Sequence, residues 1–273
     1  MLAGRAPAGV NSLRKFRAML EAVTYERRGA AALITIDRQE RRNAIDGPTA
    51  ELLTEAYRRF VADDEARVLV ITGAGELAFC AGADLKAIES FGPRLELADG
   101  PLGFSRLISP KPTIAAISGW CLAGGLELAL WCDLRIVTED AKLGFTERRF
   151  GVPLIDGGTQ RLPRIVGLGR ALDMILTGRI VEAEEAERIG LVTEVVGPGL
   201  HLDRALEMAA ALARFPQDTM LADRSAALEG IGLTFEEGMR LESRSGQPTQ
   251  ATAWAGASRF ASGEGRGGAG AGV

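Results

Sequence analysis

Two glycine-bearing segments and three acids are where this sequence could do chemistry. The first segment, Phe79-Cys-Ala-Gly-Ala-Asp-Leu-Lys86, follows a strand-like run at 67–72. The second, Gly119-Trp-Cys-Leu-Ala-Gly-Gly-Leu-Glu-Leu-Ala129, follows another at 112–118. Free backbone N–H groups gather at helix N-termini, and small residues let a ligand approach them. Two such groups aimed at one point would hold an oxyanion. Each turn taken alone is equally what a strand-to-helix connection needs for steric reasons. On local chemistry alone, Glu127 reads as an acid in the first turn of a helix. Glu147, beside Arg148 and Arg149, reads as part of a surface ion pair, and Asp156 as the cap of a helix beginning at Gly157. The single histidine, His201, excludes any mechanism needing two and argues against a Cys/His zinc site. It reads as a surface residue at a helix start.

The elements that must position these groups follow from hydrophobic periodicity. Residues 31–37 read as a strand paired with 23–27, and Asp46-Gly-Pro48 opens a helix with Leu52, Leu53, Ala56 and Phe60 on one face. Further strands are expected at 67–72, 112–118 and 134–137, with a helix starting near Gly125. Short strands separated by helices indicate α/β layering with right-handed crossovers. Beyond about residue 157 the pattern turns helical, at 157–166, 169–177, 183–189, 202–213, 217–228 and 235–244, with one strand at 191–196. Met174 and Leu176 read as core on a helix face. The chain thus divides into a flexible extension (1–21), a core (22–200), a helical region (201–262) and a glycine-rich tail (263–273).

With 47% hydrophobic residues the main body has enough apolar surface to fold. A net charge of −4 gives no strong attraction to nucleic acid or an anionic membrane. The longest apolar region, 117–131, is interrupted by Ser118 and Glu127, so no membrane span is expected. Cys80, Cys121 and Cys132 are odd in number and irregularly spaced, which reads as reduced thiols in a cytoplasmic protein.

The pairing of the two glycine loops, together with Arg42-Asn-Ala44, Ile71-Thr-Gly73, the stretch 141–162 and its Gly157-Gly-Thr-Gln-Arg-Leu162, resembles the enoyl-CoA hydratase/isomerase (crotonase) superfamily over about residues 22–262. It is most similar to the enoyl-CoA hydratases. The resemblance implies an α/β crotonase (ClpP-like) spiral of β-β-α units with a helical C-terminal region that assembles trimers or hexamers. It implies an oxyanion hole from the N–H groups of Ala83 and Gly124, and two catalytic acids, Glu127 and Glu147. Coenzyme A would enter as part of the acyl-CoA substrate, near Arg42, Ala81 and Lys86, with no metal or further cofactor. Trp120 and Trp131 are candidates for the acyl pocket, with core packing as the alternative, and Cys121 reads as a small buried filler. One stretch departs from the hydratase pattern: Val152-Pro-Leu-Ile-Asp156 stands where typical hydratases carry proline-glycine-alanine. Ile155 replaces a glycine next to the expected water site, and Asp156 adds a third carboxyl. This is a candidate substrate-binding group that would raise a neighbouring pKa by like-charge repulsion or serve a different proton transfer, with helix capping as the alternative. Hydration of a trans-2-enoyl-CoA is the leading activity. An enoyl-CoA isomerase or other crotonase reaction, and a non-catalytic acyl-CoA- or RNA-binding member, are the alternatives.

Overall fold

The computed structural model describes residues 22–265; the extension assigned to 1–21 and the tail residues 266–273 lie outside the described residues. The chain begins with an antiparallel hairpin, β1 (Val23–Arg28) and β2 (Ala31–Ile36), closed at Gly29 with φ +63°. Helix α1 (Gly47–Ala62) follows, capped by Asp46, whose carboxylate accepts the Thr49 N–H at 2.9 Å, with Pro48 in its first turn. It buries Leu53, Ala56, Tyr57 and Phe60.

Next come β3 (Val68–Gly73) and β4 (Ala78–Cys80), a run of 3-10 turns (Leu85–Arg94), then β5 (Thr113–Ile117), β6 (Trp120–Leu122) and α2 (Gly124–Trp131). They are followed by β7 (Leu134–Thr138), β8 (Lys142–Gly144), a 3-10 turn (Thr146–Phe150), α3 (Gly158–Val166) and α4 (Leu168–Thr177). The remainder is β9 (Ile180–Glu182), α5 (Ala183–Arg188), β10 (Glu194–Val196), α6 (His201–Leu212), α7 (Gln217–Glu229), α8 (Phe235–Gly246) and α9 (Gln250–Ala261).

One sheet has the order β1-β2-β3-β5-β7-β10 and is parallel from β2 onward; the other has the order β4-β6-β8-β9. From β3 to β8 consecutive strands alternate between the sheets, so each winding gives one strand to each. The large sheet is covered on both faces. Leu69 and Ile71 of β3 point into the main core, whereas Val68 and Val70 face a second cluster with Ala205, Met208 and Ala209 of α6. This is why β3 reads as an unbroken apolar run.

The helix α6 is therefore part of the sheet's cover, although the change to a helical pattern divides the chain at 200/201. For the same reason His201 is not a surface residue: it is buried at the start of α6, and its Nδ1 has no hydrogen-bond partner. Leu176 is not core either. Ala171 and Met174 take the inward face of α4, leaving Leu168, Leu172 and Leu176 exposed at i, i+4 and i+8. The first glycine loop enters 3-10 turns broken at Ala87 and containing Pro93, not an α-helix. Helices α7, α8 and α9 pack on one another but bury no residue fully, and Phe235, Trp254 and Phe260 stand exposed.

Helix α2 meets the smaller sheet at Gly125, where an added Cβ would lie 2.1 Å from the Cys80 carbonyl oxygen at the end of β4. Gly125→Ala is expected to destabilise the fold by about 1–3 kcal/mol, the usual cost of overpacking against backbone. Urea unfolding measures this, and an unchanged midpoint would show that α2 can retreat from β4 freely.

Candidate active site

The chain leaving β4 is held by backbone on both sides. Cys80 Sγ accepts the Gly82 N–H at 3.3 Å, and Gly82 sits at φ +88°, a conformation that suits glycine. The Ile45 N–H donates to the Gly82 carbonyl at 2.8 Å, and the Asp84 N–H donates to the Ile45 carbonyl at 2.7 Å. These bonds use the groups flanking Ala83 and leave its own N–H without an acceptor among the described residues. Upstream, Arg42 and Asn43 are both left-handed (φ 53° and 55°). The Arg42 carbonyl accepts the Ala81 N–H at 3.0 Å, while the Asn43 side chain accepts the Arg38 N–H and donates to the Ala74 and Ala78 carbonyls. Asn43 is the site-building residue that motif reading passed over. Its signal was its type, because asparagine tolerates the left-handed region and can satisfy several backbone groups at once.

The second loop reaches the same place from β6. Ala123 has φ 53° and ψ −127°, which non-glycine residues rarely adopt, and its N–H donates to the Gly144 carbonyl at 2.8 Å. That strained residue turns the chain into α2, whose first N–H, on Gly124, also has no acceptor among the described residues. The two loops are pressed together. A Cβ on Gly82 would lie 2.8 Å from the Gly124 nitrogen, and one on Gly124 would lie 3.7 Å from the Ala83 nitrogen. Two unpaired donors thus stand side by side on one wall, one of them at the positive end of a helix.

Ala81, Ala83, Gly124, Glu127, Glu147 and Asp156 all line a single cleft. The rest of its lining is mostly apolar, including Ile88, Phe91, Leu102, Phe150 and Ile155. Glu127 is buried, and its Oε1 accepts the N–H groups of Asp156 (3.0 Å) and Gly158 (2.8 Å). Loss of water pushes its pKa up to about 8 against those two hydrogen bonds, and the neighbouring Asp156 and Glu147 carboxyls add to the rise. Glu147 is no surface ion-pair partner. It is buried on the 3-10 turn with neither carboxyl oxygen hydrogen-bonded, and burial pushes its pKa up to about 7. Nor does Asp156 cap α3. The cap position is Gly157 in a left-handed turn, and the Asp156 carboxyl instead accepts the Leu102 N–H and the Ser105 hydroxyl. Burial again raises its pKa.

Other expected residues fall elsewhere. The side chains of Arg42 and Lys86 are exposed and off the cleft wall; Arg42 touches the site through its carbonyl. Trp120 lies apart, with the Lys142 ammonium 5.4 Å from its ring centroid. Trp131 packs on Tyr57 and Phe104 and donates its Nε1–H to the Leu107 carbonyl, so it is core. Cys121 is buried and free, as a filler would be.

The chain is similar in sequence and in fold to known proteins. Residues 26–262 match the family model described as enoyl-CoA hydratase/isomerase. A probable enoyl-CoA hydratase of Rhizobium meliloti is 40% identical over 238 residues, covering 85% of this chain and 91% of that protein. The short-chain-enoyl-CoA hydratase of Clostridium acetobutylicum is 39% identical, covering 70% and 74%. The crystal structure of an enoyl-CoA hydratase from Mycobacterium tuberculosis superposes with a TM-score of 0.83 at 32% identity, covering 88% of this chain and 96% of that one. The alternating two-sheet winding is therefore the crotonase spiral, and this chain, an enzyme, belongs to the enoyl-CoA hydratase/isomerase family.

Proposed function

We propose that the enzyme adds water reversibly across the double bond of a trans-2-enoyl-CoA. The observation that carries this reading is the pair of buried carboxyls, Glu127 and Glu147, opening into the same cleft as the Ala83 and Gly124 N–H groups. Attack of water on Cβ places negative charge on the thioester oxygen, where two fixed N–H dipoles meet it without reorganising. One carboxylate takes the water's proton while the other, as the acid, delivers a proton to Cα. Both groups must change protonation state near neutrality, which is where burial has moved them. Support for hydration over isomerisation comes from the presence of both acids, since moving a double bond needs only one to carry the proton. The exposed apolar residues of α7 to α9, Phe235, Trp254 and Phe260 among them, support a trimer or hexamer built through that region. A cytoplasmic location and independence of any metal or further cofactor complete the proposal.

Three outcomes test it. Glu147→Gln and Glu127→Gln should each lower turnover of crotonyl-CoA by roughly 10²- to 10⁴-fold, followed as loss of the conjugated enoyl-thioester absorbance. Isomerisation of a 3-enoyl-CoA without hydration would replace this reading with the isomerase one. In the wild type, kcat/KM should trace a bell against pH with limbs near about 7 and about 8. Below the bell both carboxyls are protonated and no base remains; above it both are ionised and no acid remains. The limbs belong to the coupled pair rather than to single residues, and a flat profile across pH 6–9 would contradict the assignment.

The third outcome concerns stability. The folded chain holds Glu147 protonated up to about 7 while an unfolded glutamate releases its proton near 4.5. The native state then binds more protons, so stability falls as pH rises through that window. Glu147→Gln removes the penalty and should be more stable than wild type at pH 8, by on the order of 1–3 kcal/mol or a few degrees in Tm. Equal melting at pH 8 would mean that the carboxyl is hydrated after all.

A further inference from the structure

The turn at residues 155–158 supplies both N–H donors on Glu127 Oε1, yet it is not part of α2, which carries Glu127. What holds this turn is a second set of bonds to the loop at 102–105. Asp156 Oδ1 accepts the Leu102 N–H at 3.0 Å and the Ser105 hydroxyl. Arg161 spans the same gap, donating from Nη1 to the Asp156 carbonyl at 2.8 Å and from Nη2 to the Ser105 carbonyl at 2.6 Å. The Arg106 Nη2 reaches the Ile155 carbonyl at 3.3 Å. Leu102 in turn packs on the oxyanion wall, its Cδ1 lying 2.7 Å from where a Cβ on Gly124 would stand.

We propose that Asp156 is a positioning residue for Glu127: through Ser105 and Leu102 it ties the turn that fixes the Glu127 carboxyl to the loop that packs against Gly124. The clamp sets the distance between the acid and the oxyanion donors, and a displacement of about 1 Å between such groups can cost 10²-fold in rate. The charge of Asp156 has a separate effect. The groups facing Glu127 are the Asp156 and Glu147 carboxyls and the Arg161 guanidinium, and the Asp156 carboxylate disfavours ionisation of Glu127. The assignment of Asp156 rests on the hydratase reading for its kinetic consequence, but the geometry of Glu127 can be tested without it.

Asn and Ala at this position separate the two effects. Both donors meet the same oxygen, Oδ1, so Asp156→Asn keeps the clamp and removes the charge, whereas Asp156→Ala removes both. With crotonyl-CoA, Asp156→Ala is expected to lose roughly 10- to 100-fold in kcat with little change in KM. Asp156→Asn should recover most of that kcat, with its pH profile displaced to lower pH. Carbon-13 NMR of the intact protein labelled at the glutamate Cδ should show Glu127 titrating at lower pH in Asp156→Asn than in wild type. Loss confined to KM in Asp156→Ala, or an Asn variant as impaired as the Ala variant, would overturn the clamp; a Glu127 titration that does not move in Asp156→Asn would overturn the charge effect. Should Asp156→Ala fail to fold, Ser105→Ala removes one of the two donors and must lower kcat, and unaltered turnover there overturns the proposal equally. If the wild type does not hydrate crotonyl-CoA, the hydratase reading fails, but Glu127 should still titrate at higher pH in Asp156→Ala than in Asp156→Asn. Both variants lack the charge, and only Ala frees the turn whose N–H groups hold Oε1. Coincident titrations overturn the clamp.

Discussion

The close approach of two backbone segments at Gly82 and Gly124 is the constraint on which the site depends. A side chain at Gly82 would force the loops apart, and with them the two unpaired N–H groups, whereas one at Gly124 would collide with Leu102. The rest of the spiral maintains this contact. One loop is delivered by β4 and the other by β6, and these strands are neighbours in the smaller sheet. Their partners β3 and β5 are neighbours in the larger one. A pair of parallel strands in each of two sheets leaves the connecting loops little freedom to separate. The strain at Ala123 persists because both of its neighbours are held by this framework.

Holding two acids in such a place opposes folding. Each buried carboxyl that retains its proton above its ordinary pKa lowers stability at neutral pH, and Glu147 lacks even a compensating hydrogen bond. The stabilising side lies in the sheets, where β3 and β5 are buried along their whole length between two apolar clusters. Buried charge away from the site is treated differently. Arg135 is enclosed, but its guanidinium donates to the carbonyls of Leu191, Ala129, Cys132 and Asp133, so it costs less than an unpaired group would. Among the described residues, the buried carboxyl of Glu147 and the Nδ1 of His201 lack such partners, and of these only Glu147 lines the cleft.

Much of this was legible in the sequence, and what was missed has physical reasons. The long apolar strands and the capped helix α1 follow from periodicity and from Asp46-Gly-Pro48. Strands β4, β6 and β8 have three residues each, too few to show any period, so the second sheet came only from the family resemblance. Glu127 and Glu147 could not be told from a helix-start acid and a surface ion pair by their neighbours in sequence. Burial decides between those readings, and burial is set by residues far along the chain. His201 and Leu176 were misplaced for the same reason: a helix has two faces, and the partner that chooses between them is not in the local sequence. Asn43 was within reach, since its motif had been noted for Arg42, but its three bonds span up to 35 positions.

At the stretch Val152-Pro-Leu-Ile-Asp156 the departure from the family pattern brings its own bonds. A small residue at 156 would leave the 155–158 turn held to the 102–105 loop chiefly by Arg161. An aspartate there adds two further bonds to the same loop, and Ile155 presents a branched side chain to the cleft. The cost is a third carboxyl near the other two, and the chain limits it by pairing that carboxyl with an N–H, a hydroxyl and the nearby Arg106 and Arg161. Glu147 is left without such partners. The three acids therefore differ in hydrogen bonding more than in burial: one is held by backbone N–H groups, one is tied to the 102–105 loop, and one, on the cleft wall, has no hydrogen-bond partner among the described residues.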